Sequence, residues 1–229
     1  MLEFTFWSLL ILCAYSYFLY PLILVVLTRF KKSPLTEQHT SKNNTDSNLA
    51  MPSMTLIVTA HNEANRIREK IENSLALTYN DAALEIIIAS DCSEDGTDQI
   101  VEEYQAQGIK LVRATARLGK EHAQLCAIKE AQGEVIVFSD VATQIPADAL
   151  TILGNYFTNP RIGSVSSEDR FLNQSGDIAG EGAYVKYEMW LRKQESKLAG
   201  LVGLSGSFFA VRKDLCQTWD IHSPSDFNT

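Results

Sequence analysis

Two carboxylates four residues apart, Asp91 and Asp95, stand where an isoleucine-rich run breaks into small and acidic residues and then a glycine, in Leu84–Thr97, LEIIIASDCSEDGT. A buried parallel strand meeting a ligand at its carboxyl end has this pattern, which assigns chemistry to Asp91 and Asp95. Three other β-branched runs end in comparable clusters: TAHNEANR, ATARLGKEHA and SDVATQIP. Together these stretches gather Asp and Glu with Arg117 and Lys120. Carboxylates suit the hydroxyls and base edge of a nucleotide, and cations or a metal suit its phosphates. Neither G-x-G-x-x-G nor G-x-x-x-x-G-K-S/T follows any run, so the sequence supports neither a dinucleotide fingerprint nor a P-loop.

The elements that must position these residues are strands at 54–60, 84–90, 109–114 and 135–140, separated by helical patterns. Asn62 is expected to cap a helix running through Arg66, Ile67, Ile71 and Leu75. Thr97 is expected to cap a helix over 98–107 that Gly108 ends, and a third helix over 119–131 is expected to end at Gly133. This βαβ series predicts an α/β fold with a mostly parallel open sheet flanked by helices, its ligand in the crevice beyond the strands' carboxyl ends. The SFFAVR run after Gly203 and Gly206 predicts a glycine-hinged turn into a further strand.

Ahead of this series, Phe4 to Thr28 carries no charged residue and is long enough to cross the hydrocarbon core as a helix. Glu3 precedes it, and Tyr15, Tyr17, Phe18 and Tyr20 fill it, unlike a cleaved signal; Pro21 is a candidate kink. Arg29, Lys31 and Lys32 follow directly, so residues 1–32 read as a single-pass anchor that leaves the rest on the cytoplasmic face of the inner membrane. Residues 33–53 are polar, lack apolar periodicity and read as a flexible linker. A net charge of −8 argues against a nucleic-acid partner. Cys13, Cys92, Cys126 and Cys216 show no C-x-x-C spacing, as suits a reducing compartment. Asn43 and Asn173 head sequons that are idle there.

Seven ordered blocks carry a family resemblance: VTAHNEA, SDCSEDGT, RLGKEHAQLCAI, FSDVAT, GEGAYVKYEMWLRKQESKL, GLSGSFFAVRKDL and SPSDF. Residues 54–229 resemble the amino-terminal part of a membrane-bound family 2 glycosyltransferase of GT-A fold, related to cellulose and hyaluronan synthases. The resemblance implies inverting transfer of a sugar from a nucleoside diphosphate donor, UDP-linked, to a polysaccharide or lipid acceptor. It places Ala60 and Glu63 beside the nucleobase, Asp91 at the uracil or ribose, and Lys120 near base and pyrophosphate. Asp140 matches the first acid of the family's D-x-D motif, which meets the ribose and the diphosphate-bound Mg²⁺ or Mn²⁺. Asp226 matches the general base that deprotonates the acceptor hydroxyl.

The sequence departs from that pattern twice. The D-x-D motif reads Asp140, Val141, Ala142, so the second acid, the usual metal ligand, is alanine. Thr229 lies three residues past Asp226, before the Q-x-x-R-W block and later spans of such enzymes, so the domain is expected to be carboxyl-terminally incomplete and inactive as it stands. A noncatalytic nucleotide-sugar-binding module partnering an active synthase is the alternative; an oxidoreductase fits the alternation but lacks the glycine fingerprint. Plainer roles stand beside each assignment. Asp91, Asp95 and Asp140 can make Asx turns or caps, Lys120 can be an ordinary first-turn lysine, and Asp226 a solvated loop residue. His61 and His122 lack metal spacing and read as polar lining. The aromatic, basic helix expected over 180–198 suits either a membrane interface or the floor of an acceptor cleft.

Overall fold

The computed structural model describes residues 2–30, 51–79, 84–168, 183–198 and 203–228. Most of the segment read as a linker lies outside them. The chain forms two compact units, one of residues 47–169 with 203–229, the other of residues 1–46 with 170–202.

The first unit is a six-stranded sheet in the order β3-β2-β1-β4-β6-β5. Its strands are β1 (Met54–Ala60), β2 (Leu84–Ser90), β3 (Ile109–Arg113), β4 (Val135–Asp140), β5 (Ser164–Ser166) and β6 (Phe208–Arg212). The first four, the β-branched runs of the sequence, pair in parallel, and β6 pairs antiparallel with both β4 and β5. β1 and β2 are buried along most of their length, which is why they read as apolar runs rather than alternations. The strand order reverses between β1 and β4, the position where open α/β sheets leave a crevice for a ligand.

One face of the sheet packs Ile67 and Ile71 of α3 (Ile67–Leu75), Val101 of α4 (Thr97–Glu102), and Leu150, Leu153 and Phe157 of α6 (Ala149–Phe157) against Leu56, Val58, Ile86, Ile88 and Val137. The other face is covered by α5 (Lys120–Glu130), which lies across β1, β2 and β3. There Phe138 stacks between Phe209 and Trp219, with ring centroids 4.7 and 5.0 Å away, and the Trp219 indole N–H donates to Glu121 O on α5.

Two expected caps are corrected. Asn62 sits in the left-handed region at φ 54°, where asparagine is tolerated, and its side-chain oxygen accepts the Glu94 N–H; it reverses the chain after β1 instead of capping α3, which begins at Ile67. Thr97 is the first helical residue rather than the cap, because Asp95 accepts its N–H, and the helix expected to Gln107 stops at Glu102 before a 3-10 turn. Pro52 and Ser53 bond into this unit through Tyr79 and Val135.

The second unit joins α1 (Leu2–Ala14), a π-helical turn at Tyr15–Leu19, α2 (Tyr20–Phe30) and α7 (Ala183–Leu198). The π turn arises where Tyr20 N–H bonds Tyr15 O, directly before Pro21, which brings no N–H of its own. Glu3–Phe30 is long and apolar enough to cross a membrane, with mean hydropathy 2.3 over its most apolar 18 residues, and its Phe4, Trp7, Ile11 and Phe18 are exposed. α7 packs on this helix: Tyr187 Oη donates to Tyr17 O, and Tyr20 Oη to Glu195.

Candidate functional site

The carboxyl ends of β1, β2 and β4 are tied together by their own loop residues. Asp91 N–H, just past β2, donates to Ala60 O at the end of β1. Asp91 is buried, 5% exposed, and its two carboxylate oxygens accept the N–H groups of Leu118 and Gly119, each at 3.2 Å. The loop before α5 is thereby clamped to the end of β2. Gly119 is suited to it, since its φ of 100° would strain a side-chain-bearing residue. His61 closes the same corner, its Nδ1–H donating to Asp91 O at 2.7 Å.

This clamp delivers Lys120, the first residue of α5, to the end of β4. Its ammonium lies 2.6 Å from Asp140 Oδ1 and donates to Gly206 O at 2.9 Å. Asp140 and Thr59 are paired in register, so both project to the face that α5 covers. The short segment 203–207 links Lys120, Asp140 and Asp226. Gly206 O receives Lys120, Ser207 O receives Asp140 N–H, and Leu204 N–H donates to Asp226 O. Ser225, beside Asp226, donates its N–H to Glu121 on α5 at 3.3 Å. Segment 203–207, which the sequence marked only by its glycines, is therefore a hub.

The sequence-derived residues take different places. Asp91, Lys120 and Asp140 converge, and Asp226 is held to the same hub by its backbone, its half-exposed carboxylate making no hydrogen bond to a described residue. Glu63 follows β1, its N–H donating to Thr97 and its carbonyl starting α3, while its carboxylate is likewise unbonded among the described residues. Ala60 presents only backbone, since its methyl is buried in the core. Asp95 is a loop clip: it accepts Thr97 N–H, Thr97 Oγ1–H and Ala64 N–H, and those donors hold its carboxyl below the usual carboxylate range.

Sequence reasoning missed Lys70, 2% exposed on α3, whose ammonium donates to Ser139 Oγ at 2.8 Å and to Thr143 O at 2.5 Å, either side of Asp140. The available signal was its position, three residues after Ile67 on the apolar stripe of the helix.

A divalent cation needs several oxygen donors, and Mg²⁺ commonly takes one or two carboxylates plus substrate phosphates. Asp140 supplies one carboxylate and Ala142 none, and among the described residues no three His, Cys, Asp or Glu side chains group closely enough to hold a metal. These residues fit a cation only as one shared with a bound diphosphate.

A mostly parallel sheet flanked by helices, reversing order between β1 and β4 with acids and a lysine at the reversal, is an α/β fold that leaves a ligand crevice there, and solved structures of GT-A type share it. A mannosyltransferase from Pyrobaculum calidifontis, in complex with GDP-Man and Mn²⁺, superposes with TM-score 0.70 at 24% identity, covering 95% of this chain and 60% of its own. Staphylococcus aureus TarS 1-349 gives 0.54 at 18% identity, over 77% and 52%. The family model for glycosyl transferase family 2 matches residues 55–219, and the chain belongs to that family. Relatives include a beta-monoglucosyldiacylglycerol synthase of Trichormus variabilis, 26% identical over 77% of this chain and 40% of its own length. A poly-beta-1,6-N-acetyl-D-glucosamine synthase of Staphylococcus aureus is 28% identical over 70% and 39%. The chain thus spans about two-fifths of the length of these curated relatives.

Proposed function

We propose that this protein binds a nucleoside diphosphate sugar, UDP-linked, beyond the ends of β1, β2 and β4, and serves inverting transfer of the sugar to a glycan or lipid acceptor. One observation carries the reading: Lys120, Asp140 and Asp226, from three separate stretches, meet at segment 203–207, and Asp91 clamps the loop that delivers Lys120 there. Asp91 and Glu63 would face the nucleoside beside the Ala60 backbone. Lys120 would exchange its contact with Asp140 for the diphosphate, offsetting charge that builds on the leaving group. A divalent cation shared with the diphosphate would use Asp140 as its carboxylate and add positive charge there. Asp226, whose carboxylate is not spent on a described partner, would take the proton from the attacking hydroxyl. Relatives whose names state glycolipid and polysaccharide synthesis support an acceptor of that kind.

The helix of Glu3–Phe30 would anchor the protein in the inner membrane, and the basic residues Arg29, Lys31 and Lys32 that follow support a transferase unit on the cytoplasmic face. Residues 33–50 would tether it. The experiment is transfer from UDP-sugars by a protein of the relatives' full length: Asp226→Ala should retain UDP binding and lose turnover. Retained turnover would refute the assigned base. Ala142 favours a second reading, donor binding without transfer, as a partner of an active synthase. Measurable transfer by the wild-type protein ends that reading.

A further inference from the structure

Lys70 is the most deeply buried cation among the described residues, and no carboxylate pairs with it. Burying an ammonium without a counter-ion is costly, so its partners are informative. Both flank Asp140: Ser139 in β4 and Thr143 in the turn that follows. Neighbouring α3 residues hold the same turn. Asn73 bonds both the N–H and the carbonyl of Ile145, and Glu69 accepts from Gln144. Thr143 N–H in turn closes on Asp140 O, and Thr143 Oγ1 reaches Ser207 O in the hub. α3 therefore grips the Asp140 turn from the sheet face opposite Lys120.

We infer that Lys70 is a positioning residue for the donor site, fixing the 139–145 turn so that Asp140 meets the diphosphate from a preset direction. The inference rests on the donor-site reading above. The amine is the donor that Ser139 Oγ and Thr143 O share, so an apolar side chain of similar length would fill the space and leave the turn that carries Asp140 without this tie. Burial lowers the Lys70 ammonium to about 7, against an opposing pull from the Asp140 carboxylate. A group placed this way acts on ligand affinity through Asp140 and touches no ligand itself.

The test is UDP affinity, by calorimetry on the full chain in detergent, for wild type, Lys70→Met, Asp140→Ala, the double variant and Ser139→Ala, with thermal melts alongside. Lys70→Met should melt cooperatively and bind UDP roughly tenfold more weakly, with little further loss when Asp140 is already alanine. Ser139→Ala, which removes one Lys70 acceptor, should lose roughly threefold. Unchanged affinity in Lys70→Met, or an equal loss with and without Asp140, overturns the inference while leaving the donor site standing. If Lys70→Met does not fold, Ser139→Ala decides: unchanged affinity overturns it. UDP affinity indifferent to Asp140→Ala overturns this inference, and indifference to Asp91→Ala as well overturns the donor-site reading.

Discussion

Lys120 Nζ lies 2.6 Å from Asp140 Oδ1, joining the first residue of α5 to the last residue of β4 where the strand order reverses. The pair is a third exposed on the lysine side and two-fifths on the acid side, so its contribution to stability is small. Its value is local: a cation at a helix N-terminus is electrostatically disfavoured, and the acid holds it there. Lys120→Gln should leave the melting temperature within about 2 °C, since surface changes rarely exceed about 0.5 kcal/mol. It should weaken UDP binding roughly tenfold, because a charge-assisted contact to phosphate is lost. Calorimetry and a thermal melt on the same sample check both.

Asp91 spends both carboxylate oxygens on backbone donors of the loop before α5. Asp91→Ala should free those amides, at a cost of about 1–3 kcal/mol for the unmade bonds, and hydrogen exchange at Leu118 and Gly119 should accelerate well above that of β1 amides. Exchange unchanged at these two residues would contradict the clamp.

Gly133 is needed for a close approach. A Cβ there would sit 2.5 Å from Met54 C and Thr55 N, backbone atoms of the central strand that cannot step aside. Gly133→Ala should destabilise the sheet by roughly 2–3 kcal/mol, read as a shift in urea midpoint at constant slope.

Burial lowers Lys70 from the usual 10.5 to about 7, which fixes the sign of a pH effect. Between those values the unfolded chain keeps a proton that the folded chain has released, so the unfolded state binds more protons and stability rises with pH. Urea midpoints should therefore climb from pH 7 toward pH 9, above which the buried Cys216 thiol, raised to about 12, opposes the trend, and Lys70→Met should flatten that rise.

The fold was legible where burial wrote itself into composition. The four parallel strands are β-branched runs, and the structure bounds them within a residue of the expected ends. β5 was not legible, because three residues, Ser-Val-Ser, are strand only through pairing with β6. Asn62 and Thr97 were misread as caps since the sequence shows a residue's preference for a helix end and not the neighbour, Glu94 or Asp95, that claims it. Asp91, Lys120 and Asp140 could be singled out by their place after strands and by the family blocks, and the structure places them at the ends of β2 and β4. Lys70 was missed because a lysine in a helical pattern is ordinarily assigned to solvent, and its burial depends on a turn seventy residues away.

UDP affinity of wild type against Asp91→Ala and Asp140→Ala, with GDP titrated in parallel, tests the donor site most directly. Wild type should bind UDP saturably and more tightly than GDP, with a loss of about tenfold or more in each variant. UDP affinity unchanged in both variants would contradict it.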